Sequence, residues 1–253
     1  MTTYRSALVT GASSGIGREI ARVLAARGTA LTLVARRKDR LDQLAAELGD
    51  GVDIAVLAAD LGSDDGVAVV ERHLADRPVE LLVNNAGVGT GGMFHELPLG
   101  PELSEIRLNV LALVRLTHAV LPGMVAAGHG GIVNVSSIAG NQPLQGYATY
   151  GATKAFVTSF TESIAFEVRR SGVHVTVVKP GYTDTEMNPD APKAGMQRRL
   201  LWLDAEHVAR ASVEAVERGR LHCVPGATWR VADTLIESLP RSAVRLLSSR
   251  VRG

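Results

Sequence analysis

The feature that most constrains the fold is a regular alternation of short, β-branched apolar runs with longer amphipathic stretches, which continues through most of the chain. The strand-like runs are Ala7–Thr10, Ala30–Ala35, Asp53–Ala58, Leu81–Asn84, Gly131–Ser136 and Val173–Lys179. The helical stretches between them are Ile16–Arg27, Asp39–Leu48, Asp64–Ala75, Glu102–Ala127 and Thr149–Ser171. Apolar strands that alternate with helices are typical of a parallel sheet covered on both faces. The sequence therefore predicts an α/β fold of the Rossmann type, a doubly wound parallel sheet.

No repeat, low-complexity tract or Pro/Gly linker divides the chain, so we expect one domain over residues 1–253. Two segments interrupt the alternation. Residues 182–203 contain two prolines and show no regular period, which is typical of a functional lid or an irregular loop. Residues 226–253 indicate a helix that stops at Pro240 and a basic helix that follows it. We expect the first segment to be a substrate lid and the second to be a helical tail at a surface or interface.

Charge and cysteine content exclude several classes of protein. The chain has 27 Lys and Arg against 26 Asp and Glu, a net charge of +1, which does not favour a nucleic-acid partner. Cys223 is the only cysteine, so no disulfide forms within the chain and a cytoplasmic location is favoured. No uninterrupted apolar run approaches the roughly eighteen residues of a membrane span. Because the seven histidines are scattered, we expect no metal site.

A glycine-rich turn follows the first predicted strand and opens the first predicted helix. It reads Gly11-Ala12-Ser13-Ser14-Gly15-Ile16-Gly17, and its glycines are spaced Gly-x3-Gly-x-Gly. Glycines in this place let the backbone approach a pyrophosphate, whose charge is met by free amide groups and the helix dipole. We expect Gly11, Ser13, Ser14, Gly15, Ile16 and Gly17 to bind a dinucleotide, with an ordinary turn as the alternative.

The residues after the second strand favour NADP(H) over NAD(H). Sites that prefer NAD carry an acidic residue here for the ribose 2′-hydroxyl, whereas arginine suits a 2′-phosphate. Ala35 removes the acid, and Arg36 and Arg37 supply planar cations. Asp39 is expected to cap the next helix instead of binding ribose. A solvated charge cluster is the alternative for Arg36–Lys38, and NAD(H) is kept as the alternative cofactor.

Tyr150 and Lys154 lie four residues apart and therefore on one face of a predicted helix. A free tyrosine titrates near 10, so action as an acid–base group at neutral pH requires its pKa to fall by roughly three units. A lysine ammonium about 5 Å from the phenolate contributes about 3 kcal/mol toward this at an effective dielectric of 20. Tyr147 is a rival, but its fourth neighbour is Gly151 and not a cation. An ordinary helix face is the alternative.

Ser136 and Ser137 close the strand that precedes this helix, at the end of the sheet where doubly wound folds bind ligands. Ser137 lies thirteen residues before Tyr150 and is the candidate donor to a substrate oxygen. Capping of the following loop is the alternative for both serines, and it is favoured for Ser136.

With these residues in place, the chain resembles the short-chain dehydrogenases/reductases, in the branch whose chains are about as long as this one. The matching residues run in the family's order through about residues 5–185. They are Gly11, Gly15, Gly17, Asp60-Leu61, Asn84-Asn85-Ala86-Gly87, Asn109, Ser137, Tyr150, Lys154 and Pro180-Gly181. The resemblance implies hydride transfer between a nicotinamide and a carbonyl carbon, while Tyr150 gives or takes the proton. It also implies that Ser137 positions the carbonyl and that Lys154 lowers the pKa of Tyr150 and holds the ribose hydroxyls.

The same resemblance implies roles for residues elsewhere. Asp60 would bind the adenine amino group with support from Leu61, and Asn109 would hold a water relay to Lys154. A brace within the sheet is the alternative for Asn84. The residues that would line the cofactor are Asn84, Asn85, Ala86 and Gly87, and those that would meet its carboxamide and pyrophosphate are Pro180, Gly181, Thr183 and Thr185.

The chain departs from the family pattern after residue 185. Where acyl-thioester reductases of the family end in a glycine-rich strand segment, Cys223-Val224-Pro225-Gly226 leads into a helical, arginine-bearing tail. We therefore predict an NADP(H)-dependent oxidoreductase for a moderately hydrophobic ketone and its secondary alcohol, working as a homodimer or homotetramer. The alternatives are a 3-oxoacyl-thioester reductase and a non-catalytic NADP(H)-sensing protein. The apolar lid residues behind the substrate prediction are Met187, Met196, Leu200, Trp202 and Leu203, for which simple packing is the alternative.

Overall fold

The runs predicted as strands form a parallel sheet in the computed structural model, which describes residues 3–49, 51–189, 192 and 195–238. Its seven strands are β1 (Ser6–Thr10), β2 (Ala30–Ala35), β3 (Ile54–Ala58), β4 (Leu81–Asn84), β5 (Gly130–Val135), β6 (Val173–Val178) and β9 (His222–Cys223). Their order is β3-β2-β1-β4-β5-β6-β9, and each neighbouring pair is parallel. A separate two-stranded pair is formed by β7 (Thr183–Asp184) and β8 (Leu203–Asp204).

Helices connect the strands. They are α1 (Gly15–Ala25), α2 (Lys38–Leu48), α3 (Asp64–Asp76), α4 (Leu99–Ile106), α5 (Leu113–Ala127), α6 (Ala148–Glu167), α7 (Met196–Leu201), α8 (Ala205–Glu217) and α9 (Ala227–Ser238). A π-helical segment, Arg107–Ala112, joins α4 to α5, and short 3₁₀ turns are formed by Phe94–Glu96 and Ile138–Asn141.

Neighbouring residues of a strand face opposite sides of the sheet, and both sides are buried. Val9 and Val83 pack into a cluster with α1, α2 and α8, whereas Leu8, Leu82 and Ile132 pack into a second cluster with α3 and α5. All five side chains are 1% exposed or less. Such two-sided burial explains why the strands read as continuous apolar runs. The predicted Rossmann-type, doubly wound parallel sheet is confirmed.

Three details differ from the prediction. Helix α8 and the two-residue edge strand β9 were not predicted, although Val208, Val213 and Val216 form a buried stripe on α8. The expectation that Asp39 caps α2 is wrong, because the helix begins one residue earlier and Arg37 is its N-terminal flanking residue. Asp39 lies in the first turn, where its charge is favourable to the helix dipole.

The helical stretch Leu99–Ala127, which runs through α4 and α5, is long and apolar enough to cross a membrane when judged by length and composition alone. The search for uninterrupted apolar runs missed it, because charged residues such as Arg107 and Arg115 divide the stretch. In the structure α5 packs against α3, β4 and β5, and therefore forms one of the layers over the sheet.

The segment 182–203 contains β7, α7 and β8, so part of the expected irregular lid has regular structure. The helix expected after residue 226 is present as α9. The basic helix predicted from Pro240 to Arg252 lies outside the described residues.

Candidate active site

A cleft of about 530 Å³ opens at the carboxyl ends of the strands, beside β1 and β4. From β1 the chain winds outward through β2 and β3, and from β4 it winds the other way, so β1 and β4 mark the reversal. Open α/β sheets bind ligands at such a reversal. Thr10 joins the two strands there. Its hydroxyl donates to Val83 O at 3.1 Å and accepts the N–H groups of Asn85 and Ala86 at 2.9 and 3.0 Å.

The glycine turn after β1 lets backbone, not side chains, face this cleft. Gly11 has a φ of 67°, and a Cβ there would lie 2.7 Å from Asn85 Nδ2. A Cβ at Gly17 would lie 2.5 Å from Gly11 O, so a side chain at either position displaces its neighbours. Helix α1 begins at Gly15, which brings the positive end of its dipole to the cleft. The turn therefore has the shape and the polarity that a pyrophosphate needs.

Cationic side chains lie at one end of the cleft, after β2. Arg37 Nη2 donates to Ser13 Oγ at 3.0 Å and to Ser14 Oγ at 2.9 Å, so the guanidinium is fixed against the glycine turn. Its Nη1 forms an ion pair with Glu186 at 2.8 Å. Arg36 is exposed and lines the same cleft. The structure thus brings both predicted arginines to one end of the cleft, beside the glycine turn.

The loops after β3 and β4 form the neighbouring wall. Asp60 is exposed at the cleft, where its Oδ1 accepts the Gly62 N–H at 3.0 Å, and Leu61 is 5% exposed beside it. Asn84, in contrast, is buried and does not line the cleft. Its amide donates to Thr117 Oγ1 at 3.1 Å and to Asn134 Oδ1 at 2.9 Å, which are contacts of a brace within the sheet.

The candidate catalytic side chains come from β5 and α6. Ser137 follows β5 and accepts the Ala139 N–H at 3.1 Å, while Tyr150 and Lys154 lie on the first turns of α6. Lys154 Nζ lies 5.7 Å from the centroid of the Tyr150 ring. Ser137, Tyr150 and Lys154 all line the cleft. Ser136 lines it as well, but its hydroxyl is committed to α6, where it donates to Lys154 O at 2.7 Å.

Burial dominates the ionisation of this group. The pKa of Tyr150 is raised, chiefly because burial disfavours the phenolate, whereas a hydrogen bond with Ser137 acts to lower it and the charge of Glu105 raises it further. Burial lowers the pKa of Lys154 to about 8, and Glu105 opposes that change. The sequence argument expected Lys154 to lower the pKa of Tyr150. Instead, desolvation is the largest influence on the pKa of Tyr150 and raises it, so Tyr150 is a neutral phenol that holds its proton.

The rival tyrosine is placed differently. Tyr147 is 38% exposed and does not line the cleft. Its ring meets that of Tyr150 edge-on, with 6.5 Å between the centroids. A Cβ at Gly89 would lie 3.0 Å from the Tyr150 ring, so the loop after β4 packs directly on that ring. Tyr147 therefore contributes to the surroundings of Tyr150 without reaching the cleft.

Asn109 sits behind Lys154, in the π-helical segment between α4 and α5. It is 2% exposed, and its amide donates to Val88 O at 2.8 Å and to Thr153 Oγ1 at 3.1 Å. Its Oδ1 accepts the Val88 N–H at 3.0 Å. π-Helical turns within α-helices are frequent at functional sites. Here the turn lets one side chain join the loop after β4 to α6.

Residues 180–188 form the opposite wall, and α9 packs behind it. Gly181 lies so close to the indole of Trp229 that a Cβ would overlap the ring, and Trp229 Nε1 donates to Leu201 O at 2.9 Å. Tyr182 stacks on Trp202 with 5.4 Å between the centroids and meets Trp229 edge-on. This aromatic group fixes the lid against α9. The predicted residues on this wall that line the cleft are Pro180, Gly181, Thr183 and Thr185.

Among the predicted site residues, Gly17, Asn84 and Asn109 do not line the cleft: Gly17 lies beneath the turn, Asn84 braces the sheet and Asn109 lies behind Lys154. Every other predicted catalytic or cofactor-binding residue lines it. Within the described part of the chain, no group of three or more His, Cys, Asp or Glu side chains is arranged to hold a metal ion.

Sequence reasoning missed several charged side chains that surround the site. Glu102 and Glu105 are buried on α4. Glu102 lies three residues before Glu105, and Glu105 lies four residues before Asn109, a spacing that was a signal that all three share one helix face. Lys179 and Asp233 form a buried ion pair of 2.8 Å behind the lid. No local pattern could have found that pair, since its members are 54 residues apart.

Comparison with known proteins adds a family. Residues 5–194 match the sequence profile described as short chain dehydrogenase. Sulfoacetaldehyde reductase 2 of Chromohalobacter salexigens is 38% identical over 80% of this chain and 84% of its own length. A short-chain dehydrogenase of Sphingobium yanoikuyae, solved with NADPH, has a TM-score of 0.83 and 37% identity, covering 98% of this chain and 96% of that one. A bulky-bulky ketone specific alcohol dehydrogenase of Comamonas testosteroni has a TM-score of 0.82 and 33% identity, covering 99% of this chain and 96% of that one.

Proposed function

This chain belongs to the short-chain dehydrogenase family, and from that premise we propose that it is an NADP(H)-dependent oxidoreductase for a moderately hydrophobic ketone and its secondary alcohol. Its class is that of enzymes that interconvert CH–OH and C=O with a nicotinamide cofactor. The observation that carries the proposal is the meeting of Ser137, Tyr150 and Lys154 in the same cleft as the glycine turn.

The cleft fits a phosphorylated dinucleotide. At Gly11 and Gly17 a Cβ would collide with neighbouring protein atoms, so glycine lets the turn pack tightly, and the turn lines the cleft at Gly11 and Gly15, where a ligand's phosphates would bind. We assign the pyrophosphate to this turn, the adenine to Asp60 and Leu61, and the nicotinamide end to the Asn85–Gly87 and Pro180–Thr185 walls. When bound, the cofactor supplies the hydride donor or acceptor.

The protein's own groups position the carbonyl and move the proton. In reduction, Tyr150 gives its phenolic proton to the substrate oxygen, and in oxidation the phenolate takes that proton back. The raised pKa of Tyr150 keeps the proton in place until a substrate arrives, which suits the reductive direction. Ser137 donates a hydrogen bond to the same oxygen. Lys154, held by Val135 O at 2.9 Å, stabilises the phenolate and binds the ribose hydroxyls.

A preference for NADP(H) follows from the arginines. Arg37 is already fixed by Ser13 and Ser14 beside the turn, and Arg36 is free to approach a 2′-phosphate from solvent. Charge-assisted hydrogen bonds to a phosphate contribute about 1.5–3 kcal/mol each. The NADPH complex of the Sphingobium yanoikuyae relative supports this preference.

A moderately hydrophobic substrate follows from the lid. Met187 lines the cleft and is 53% exposed, while Met196 and Leu200 on the lid are 77% and 54% exposed. When an apolar substrate covers exposed apolar side chains, apolar surface is removed from water, and this favours binding. The Comamonas testosteroni relative, whose name specifies bulky ketones, supports the same class of substrate.

We also propose that two or four copies assemble, in the cytoplasm. Apolar side chains that do not line the cleft are exposed on α4, on the π-helical segment and on α6: Leu103 and Leu111 are 41% and 52% exposed, and Phe156 and Phe166 on α6 are 41% and 63% exposed. Exposed apolar patches are typical of contacts between subunits.

A carbonyl panel tests the function. The purified protein is mixed with NADPH or NADH and with small hydroxylated ketones, bulky aryl ketones or 3-oxoacyl thioesters, and cofactor oxidation is followed by absorbance. We expect NADPH-dependent turnover that is fastest with the bulky ketones. Fastest turnover of thioesters would instead assign a 3-oxoacyl-thioester reductase. Tight NADPH binding with no turnover in either direction would assign a cofactor sensor.

A further inference from the structure

We propose that Glu105 is a positioning residue for the reaction, the buried counter-charge that keeps Lys154 an ammonium. The inference rests on the proposed function, because Lys154 is assigned there to the proton-transfer group. It concerns a carboxylate that faces the catalytic residues from α4, a helix outside the cleft.

Lys154 needs such a counter-charge because its ammonium is almost completely buried. The side chain is 6% exposed, and its hydrogen bond to protein is the one to Val135 O, a neutral acceptor. A buried ammonium without opposite charge tends to lose its proton. Burial does lower the pKa of Lys154, to about 8, and a neutral amine can neither stabilise a phenolate nor donate as strongly to a ribose.

Glu105 is linked to Lys154 through Asn109 and the space beside Gly87. The position that a Cβ would take at Gly87 lies 3.4 Å from Lys154 Nζ and 3.1 Å from Asn109 Oδ1. Asn109 Nδ2 in turn lies 3.4 Å from Glu105 Oε1. Because Gly87 has no side chain, that position is open between the ammonium and the amide that contacts Glu105.

The carboxylate is fixed and fully desolvated. Glu105 is 0% exposed, and its Oε2 accepts the Thr90 N–H at 2.9 Å and the Thr90 hydroxyl at 2.5 Å. Burial raises the pKa of Glu105, while these two donors and the Lys154 charge favour the ionised form. An opposite charge in one buried site stabilises both partners in their charged states.

The other ionisable groups near Lys154 are few. Tyr150 lies on the same helix, with its ring centroid 5.7 Å from Nζ. Glu102 lies on α4, one turn before Glu105. The Oε2 atom of Glu102 accepts a hydrogen bond from the Thr149 hydroxyl. On β5, Val135 O accepts a hydrogen bond from the ammonium, and the loop after β4 places the backbone of Gly87 beside it. The charge of Glu105 raises the pKa of both Lys154 and Tyr150, whereas the charge of Glu102 raises the pKa of Glu105.

Glu102 is therefore a matched control. It is a glutamate of the same helix, 3% exposed, and hydrogen bonded to a threonine as Glu105 is. A purely structural effect of replacing a buried carboxylate by an amide should be similar at the two positions. An effect on the ionisation of Lys154 should be confined to Glu105.

The chain suits a direct measurement, since it contains only four lysines: Lys38, Lys154, Lys179 and Lys193. We would label lysine with ¹³C at Cε and titrate its NMR signals in the wild type, Glu105→Gln and Glu102→Gln, with Lys154→Arg used for assignment. The measurement needs no cofactor and no turnover. The Lys179 signal, from the ion pair with Asp233, reports whether each variant is folded.

We expect the Lys154 midpoint to lie near pH 8 in the wild type and to fall by about one pH unit in Glu105→Gln. In Glu102→Gln it should stay at the wild-type value. Equal midpoints in the two variants would overturn the proposal. If Glu105→Gln does not fold, Glu105→Asp and Glu102→Asp replace the pair: withdrawal of the charge by one methylene should give a smaller shift in the same direction, at position 105 alone.

Kinetics separate this inference from the proposed function. For the best carbonyl substrate, the high-pH loss of kcat should begin at lower pH in Glu105→Gln, while KM for the substrate is unchanged. An equal fall of kcat at every pH would indicate a structural defect and count against the proposal. If no carbonyl is reduced by the wild type, the proposed function fails, but the NMR titration still decides whether Glu105 holds the charge of Lys154.

Discussion

The two walls of the cleft are held in different ways. The wall built by β1 to β5, here the cofactor wall, is held by close backbone packing of the glycine turn on the loop after β4, and by Asn85, which donates its N–H to the Thr10 hydroxyl and its side-chain amide to Thr10 O. The opposite wall, residues 180–188 and here the substrate wall, is held mainly by side chains. Tyr182 stacks on Trp202, and the buried Lys179–Asp233 pair joins the end of β6 to α9.

This difference explains how one fold serves a constant cofactor and a variable substrate. Backbone geometry at the cofactor wall leaves little freedom, because a side chain at Gly11 or Gly17 would overlap its neighbours. At the substrate wall, apart from the β7–β8 pair, the contacts are made largely by side chains on elements of two to twelve residues, so they can be exchanged without disturbing the main sheet. We therefore expect mutations to separate the two walls cleanly, and the following experiments test that separation.

The largest effect is expected on the stability of the substrate wall. Asp233→Ala removes the carboxylate that pairs with the buried Lys179 ammonium at 2.8 Å and that accepts a hydrogen bond from the Asn141 amide at 2.5 Å. Loss of one member of a buried ion pair costs about 3–5 kcal/mol. Urea unfolding should show a loss of this size, and the double variant Lys179→Met with Asp233→Leu should regain most of it. A single variant as stable as the wild type would mean that α9 is held by its aromatic contacts alone.

The next effect is expected where the two walls meet, at Tyr150. Tyr150→Phe should lower kcat by at least about a hundredfold, the usual scale of acid–base assistance, and leave NADPH affinity nearly unchanged. Tyr147→Phe is the control, since that ring contacts Tyr150 but does not line the cleft. Stopped-flow turnover with NADPH titration by fluorescence measures both quantities. Equal losses in the two variants would contradict the assignment of Tyr150 as the proton donor.

A smaller effect is expected for the cations of the cofactor wall. Arg36→Ala and Arg37→Ala should each weaken NADPH and spare NADH, together by about 10- to 150-fold. Dissociation constants for both cofactors, measured at one salt concentration, show how much of the affinity for NADPH and for NADH each variant loses. Because Arg37 also holds Ser13 and Ser14, any loss of NADH affinity should be confined to its variant. If both variants lose NADPH and NADH equally, neither arginine binds the 2′-phosphate.

The contrast between the walls also explains what the sequence could predict. The glycines from Gly11 to Gly17 lie within one turn, and Tyr150 and Lys154 lie within one helix. Local spacing was therefore enough to predict each of these two groups. The continuous apolar strands similarly predicted a parallel sheet with helices on both faces. Helix α8 could have been found from its buried valines, and Glu105 from its place on the face of Asn109. The Arg37–Glu186 pair, 149 residues apart, depends on how the finished sheet brings its loops together, and no local pattern contains that information.

That last pair offers the finest test, because it joins the two walls. Glu186, on the lid, pairs with Arg37 at 2.8 Å and with Arg40, and these arginines lower the pKa of its carboxyl, so it is charged at neutral pH. A 2′-phosphate would bring a second anion to Arg37. Since exposed ion pairs contribute little, we expect Glu186→Gln to strengthen NADPH binding only about two- to fivefold, and to leave NADH unchanged.

Glu206→Gln is the control for that variant, because Glu206 forms a comparable surface pair with Arg210 on α8. The gain in NADPH affinity should shrink as salt is added, since screening weakens both the ion pair and the repulsion. An equal gain for NADPH and NADH would show that Glu186 acts by holding the lid over the whole cleft. Weaker NADPH binding would mean that Glu186 holds Arg37 in the orientation that the phosphate needs, so that the lid assists cofactor selection and does not compete with it.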